Sequence, residues 1–242
     1  MITTKEQFEE LVTKNWNELN AWIDQRMAEV PVPIYSSVDI RESKTKFAPV
    51  DHNMYPAGFN NVCALDQDAC SMAFKSALER LAPDSKNIAI LPESNTKNSF
   101  YLDHLAILGK ILRDAGFNIS FISFDESIFD GKETLELISF SKFDVKIEKA
   151  KIVDGIIQNQ AGALDAVILN NDQSRPIELE WDSIKTPVVP TPKIGWFKRH
   201  KVRHFRFYKE VVDSFAAKFD IDPNLLMADF TCVDGVDFGT KD

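Results

Sequence analysis

Residues 87–124 constrain the fold of this chain more than any other stretch. An apolar run, NIAIL (87–91), leads into the polar loop PESNTKN (92–98), then a helical segment over 99–115, Gly116 and a second apolar run, FNISFISF (117–124). Within the helical segment Leu102, Leu105, Leu108 and Leu112 recur on related faces, and Gly116 suits a C-cap. Strand, loop, helix, glycine and strand in so few residues make a βαβ crossover, which requires a parallel sheet. DAVIL (165–169) adds a buried strand ending in Asn170-Asn171-Asp172, and PVVP (187–190) adds a short piece at a sheet edge. The predicted fold class is α/β, a mostly parallel sheet flanked by helices.

The flanking sequence fills in the organisation. Thr3 and Glu6 have the spacing of a capping box. Phe8, Leu11, Val12, Leu19, Trp22, Ile23 and Met27 then follow a helical period up to Pro31. Residues 1–30 therefore read as an N-terminal amphipathic helix packed on an α/β domain that runs from 31 to 242. Residues 31–61 carry several prolines and short extended pieces, the texture of a surface segment. A helix is expected from about 66 to 81. Residues 145–158 alternate weakly and fit either a hairpin or a strand plus linker. The last helix is predicted to begin near Trp196, with Phe205, Tyr208, Val212, Phe215 and Phe219 as its apolar stripe and a stop at Asp222-Pro223.

Composition removes several functions. The formal net charge of −9 lacks the basic face that a general nucleic-acid coat needs, so no nucleic-acid partner is expected. Neither a signal-peptide core nor a membrane-spanning apolar run occurs, so no membrane partner and a cytoplasmic location are expected. Cys63, Cys70 and Cys232 are scattered, which suggests reduced thiols and offers no zinc pair. The sequence contains no GxxxxGK[ST] loop, GxGxxG fingerprint, HExxH or GxSxG motif. His200 and His204 have metal-ligand spacing, but their cationic neighbours oppose a metal, and none is expected.

Ligands of open α/β sheets collect beyond the carboxyl ends of the strands, and that rule ranks the loops. Glu93, Asn95, Lys97 and Asn98 precede a helix N-terminus, a setting that suits a carboxylate or phosphate, or is simply a capped loop. Asn171 offers donor and acceptor to an amino-acid ligand, or makes an Asx-turn. Arg199, Arg203 and His204 lie in the cationic run 195–204, where the helix dipole disfavours cations, so an anion would relieve the conflict; a solvated basic face is the alternative. Arg41 could clamp a carboxylate, with Asn60 and Asn61 downstream, or serve as a surface ion-pair partner. No catalytic residue stands out.

Taken in order, the segments IYSSVDIR (34–41), FAPVDHNMYPAGFNN (47–61), ILPESNTKNSFYLDHLAIL (90–108), DAVILNND (165–172) and GWFKRHKVRHF (195–205) resemble the proteobacterial-type glutamate–cysteine ligases. His52, Gln173, Phe197 and His200 depart from that pattern. The resemblance implies a pre-ATP-grasp, Rossmann-like arrangement and ATP-dependent ligation of L-glutamate to L-cysteine. The γ-carboxylate would be activated as an acyl phosphate and magnesium would neutralise the phosphates. It also implies that residues 1–242 are the substrate-side front portion. The ATP-binding domain would be missing, the chain would be inactive alone and hold no cofactor itself, and a separate ATP-binding half could be its partner. A non-catalytic α/β module that binds an acidic metabolite or a partner protein is the alternative.

Overall fold

The computed structural model describes residues 1–93, 98–173, 177–195 and 201–231. They divide into two units, one of residues 1–32, 38–52 and the described part of 199–242, the other of residues 33–37 and the described part of 53–198. The N-terminal helix thus shares its unit with residues 38–52 and the last helix.

In the first unit, α1 (Lys5–Met27) opens on a capping box made by Thr4 and Gln7. Thr4 Oγ1 accepts the Gln7 N–H and Gln7 Oε1 accepts the Thr4 N–H, both at 3.3 Å. The box lies one residue after the expected Thr3–Glu6 pair, because the same spacing occurs twice in succession. β1 (Ser37–Glu42) and β2 (Phe47–Asn53) form a two-stranded ribbon. The remaining labels follow chain order: α2 (Gln67–Leu81), β3 (Asn87–Pro92), α3 (Ser99–Asp114), β4 (Asn118–Ser123), β5 (Thr134–Ile138), β6 (Asp144–Lys149), β7 (Lys151–Val153), β8 (Ile156–Asn159), β9 (Gly162–Ala163), β10 (Ala166–Asn170), β11 (Val188–Val189) and α4 (Lys201–Phe219). α4 uses the predicted stripe: Val212 is buried, Phe215 meets Trp22 of α1 edge-on at 5.2 Å, and Phe205 stacks on Phe230. Past its end, Ile2 and Ile221 make a parallel bridge.

The second unit is built on a six-stranded sheet of order β11-β10-β3-β4-β6-β5, parallel throughout except for the β5–β6 pair. Alternation sends Ile88, Ile90, Phe121 and Ile168 to one face and Ala89, Leu91, Ile122, Val167 and Leu169 to the other. Both faces are buried, which explains why residues 88–91 of NIAIL and 166–169 of DAVIL are apolar at every position. The first face carries α3 and α2, through Leu105, Leu108, Leu112, Phe74 and Leu78. The second face is covered by Tyr55, Ile157 and Leu164. Each such side chain contributes about 1.5–3 kcal/mol on burial. The weakly alternating 145–158 stretch splits into β6 and the β7–β8 hairpin. Asp154 (φ 52°) and Gly155 (φ 82°) turn that hairpin with the two positive φ values of a tight two-residue turn.

Candidate functional site

The register of the two central strands brings the first two candidate loops together. In the parallel pairing Ile90 faces Ile168, Leu91 faces Leu169 and Pro92 faces Asn170. Both strands therefore end at one edge, and the next residues, Glu93 and Asn171, emerge side by side. Side chains then bond the loops directly. Glu93 Oε1 accepts the Asp172 N–H at 2.6 Å, and Asn171 Nδ2 donates to the Pro92 carbonyl at 3.2 Å.

Glu93 is half-buried, and burial pushes its carboxyl up to about 7; the Asp172 N–H opposes the shift and the nearby Asp172 carboxylate adds to it. An acid poised there can hold or release a proton near neutrality. Asn171 is buried, and its Oδ1 accepts the Gln173 N–H at 2.9 Å, so both ends of its amide serve the turn. Gln173 adopts φ 61°, in the left-handed region, and its buried Nε2 has no hydrogen-bond partner among the described residues. Asn98 caps α3, with Oδ1 accepting the N–H groups of Phe100 and Tyr101 at 3.1 and 3.3 Å. Those two donors are therefore committed to the cap, which is the capped-loop alternative weighed for Asn98.

Behind this edge lies a polar cluster that sequence reasoning missed. Asn170, 2% exposed, accepts at Oδ1 from Tyr101 Oη (2.8 Å) and pairs there with His104 Nε2 (2.9 Å). Its Nδ2 donates to the Pro56 carbonyl (2.9 Å) and Tyr35 Oη (3.3 Å). Tyr35 Oη donates to the Leu169 carbonyl at 2.7 Å. Tyr101 Oη accepts the Glu93 N–H at 2.9 Å, and His104 Nδ1 accepts the Phe59 N–H at 3.2 Å. Because Nδ1 is an acceptor, the His104 proton sits on Nε2, and burial holds the ring's pKa below its ordinary value. Asn60 and Asn61 follow Phe59 in a short 3-10 turn and are exposed. In the sequence Tyr101 and His104 read only as helix positions, since their partner lies 66–69 residues away.

The remaining candidates belong to the other unit. Arg41 is exposed on β1 and Arg203 is exposed on α4. His204 is half-buried, its ring 5.2 Å from that of His52. Asn95, Lys97 and Arg199 lie outside the described residues, as does the start of the last helix near Trp196. Among the described residues no three of His, Cys, Asp and Glu gather as metal ligands, and no helix is long and apolar enough to cross a membrane. Cys63 and Cys70 are free thiols. A polar cavity of about 270 Å³ sits at the opposite, amino ends of β3 and β4, lined in part by Asn87, Asn118, Ser120 and Asn159. There Asn118 already donates to Asn87 and Asn159 to Ser120.

A mostly parallel α/β sheet with a half-buried carboxyl at its strand ends defines the fold class, and comparison narrows it to a family. The chain matches the glutamate–cysteine ligase family over residues 9–242 and belongs to that family. A solved structure assigned as a gamma-glutamylcysteine synthetase, from Methylobacillus flagellatus KT, superposes with a TM-score of 0.88 at 31% identity. The match covers 97% of this chain and 55% of that one, so these residues span a little over half the length of their structural neighbour. No curated protein matches the chain.

Proposed function

We propose that this chain takes part in the ATP-dependent ligation of L-glutamate and L-cysteine to γ-glutamylcysteine, in glutathione biosynthesis, and that its strand-end edge holds an amino-acid substrate. The observation that supports the reading is the meeting of Glu93 with the Asn171–Asp172 loop at one sheet edge, in a chain of the glutamate–cysteine ligase family. Glu93 receives the substrate's α-ammonium group in this reading, because a cation beside a half-buried carboxyl favours its charged form. Asn60, Asn61, Asn95, Lys97, Asn98 and Asn171 belong to the same proposed substrate region. Arg41, Arg199, Arg203 and His204 are proposed to face the anionic groups of the reaction, glutamate's carboxylates or the phosphates of ATP. ATP and magnesium enter as co-substrate and counter-ion, and no described residue is assigned to either.

Because the match covers 55% of the neighbour's chain, the reading gives residues 1–242 a share of the reaction. Turnover is expected only when the remaining machinery, including an ATP-binding half, is supplied. The deciding measurement is ATP-dependent γ-glutamylcysteine formation by this chain alone and with the remainder of a full-length ligase added. Product is expected only in the second mixture, and its absence from both sinks the reading. In the active mixture Arg203→Ala should weaken glutamate or ATP by about 1.5–3 kcal/mol, the worth of one charge-assisted contact. Unchanged Michaelis constants and turnover would return Arg203 to a solvated surface role.

A further inference from the structure

We infer that Asn170 and Tyr101 are positioning residues of the strand-end edge, through two separate hydrogen-bond branches that leave the Asn170 carboxamide. One branch runs from Oδ1 through the Tyr101 hydroxyl to the backbone of Glu93. The other runs from Nδ2 to the Pro56 carbonyl, at the head of the segment that carries Asn60 and Asn61, while His104, bonded to Oδ1, holds the Phe59 N–H of the same segment. The inference rests on reading this edge as the substrate-holding part of a ligase.

The hydrogen-bond directions follow one from another. Phe59 fixes the His104 tautomer, so Asn170 Oδ1 is the acceptor of two donors and Nδ2 must face the Pro56 carbonyl and Tyr35. All four bonding positions of the carboxamide are then in use. The sheet does not need this arrangement, because the β3–β10 ladder is complete through Pro92 and Asn170. Glu93 is the first residue past the ladder, and its N–H is held by a hydroxyl from α3. A closed polar network in a core stabilises little in net terms, but it fixes geometry, as a site requires.

The two branches predict different consequences for two variants, read by residue-resolved amide exchange. Tyr101→Phe keeps the ring and removes the hydroxyl. The Glu93 and Asp172 amides should exchange about tenfold faster, the loss expected for one hydrogen bond, while Phe59 and the ladder amides of Ala89 and Val167 stay unchanged. Asn170→Asp keeps the oxygen that serves Tyr101 and His104 and removes the Nδ2 donors, so the Pro56 carbonyl loses that partner. The Asn61 amide, in the turn that follows Pro56, should then exchange faster while Phe59, still held by His104, and Glu93 stay protected. Thermal melting first establishes that each variant folds, and if Asn170→Asp does not fold, Tyr101→Phe decides alone. Equal acceleration across the ladder, or no change at Glu93 and Asp172, overturns the inference. In an active ligase Tyr101→Phe should also raise the Michaelis constant for glutamate about tenfold with a smaller change in turnover, and an unchanged constant overturns the assignment to the site. If the wild type forms no γ-glutamylcysteine, the functional reading fails separately, and the exchange pattern still decides the positioning.

Discussion

At the scale of single residues, Glu93 and His104 give stability opposite dependences on pH. The folded Glu93 carboxyl titrates near 7 against an ordinary 4.5, so between those values the native state holds a proton that the unfolded chain has released. Its contribution is fully present below pH 4.5 and is lost as pH rises through 7. Glu93→Gln keeps the neutral form and an oxygen for the Asp172 N–H. The melting temperature of the wild type should therefore fall relative to Glu93→Gln between pH 5 and 8. Parallel curves for the two proteins would contradict the placement of that proton. His104 works the other way: its folded pKa lies below the ordinary 6.5, so its contribution is present above 6.5 and is lost as pH falls towards the lowered value. The place of Glu93 was legible in the sequence, because parallel strands end at one edge and NIAIL and DAVIL are both plain strands. The cluster around Asn170 was not legible, because hydrogen bonds between residues so far apart leave no periodic trace.

At the scale of elements, α3 shows packing and helix propensity opposed at one position. Gly109 sits inside the helix, where alanine would gain about 1 kcal/mol of propensity. A Cβ there would lie 2.8 Å from the end of the Phe121 ring, which is 4% exposed and packed in the core. Overpacking of that kind costs about 1–3 kcal/mol. Gly109→Ala is therefore expected to be neutral to destabilising by up to about 2 kcal/mol in urea unfolding, and a gain of a full kcal/mol would show that Phe121 yields freely. A few residues along the same helix, Leu105 is fully buried with no such conflict, and Leu105→Ala should cost about 2–5 kcal/mol. Long elements with a clear period, α1, α2, α3 and α4, were readable. The antiparallel edge strand β5 and the short β9 were not, since strands of two to five residues carry too few positions for alternation to register, and the β7–β8 hairpin was one of two readings that its weak alternation left open.

At the scale of the whole molecule, the two units differ in what holds them. The second unit buries eleven of the twelve largest fully enclosed side chains between Leu78 and Ile157 and the twelfth, Ile168, within β10. The apolar cluster that joins α4 to α1 has Ala216, Ile221 and Leu225 as its buried members. Amides of α1 and α4 should therefore exchange faster than those of β3, β4 and β10 under native conditions, and the reverse order would contradict this ranking. The sheet order carries a consequence in time as well. β3 pairs on one side with β4, its near neighbour in sequence, and on the other with β10, so that Glu93 and Asp172 meet across 79 residues. During synthesis at about 5–20 residues per second, β3 waits several seconds for β10 to be made. Until then one flank of its backbone stays unpaired, and the edge proposed to hold substrate is closed late, by a segment the ribosome delivers after most of the sheet.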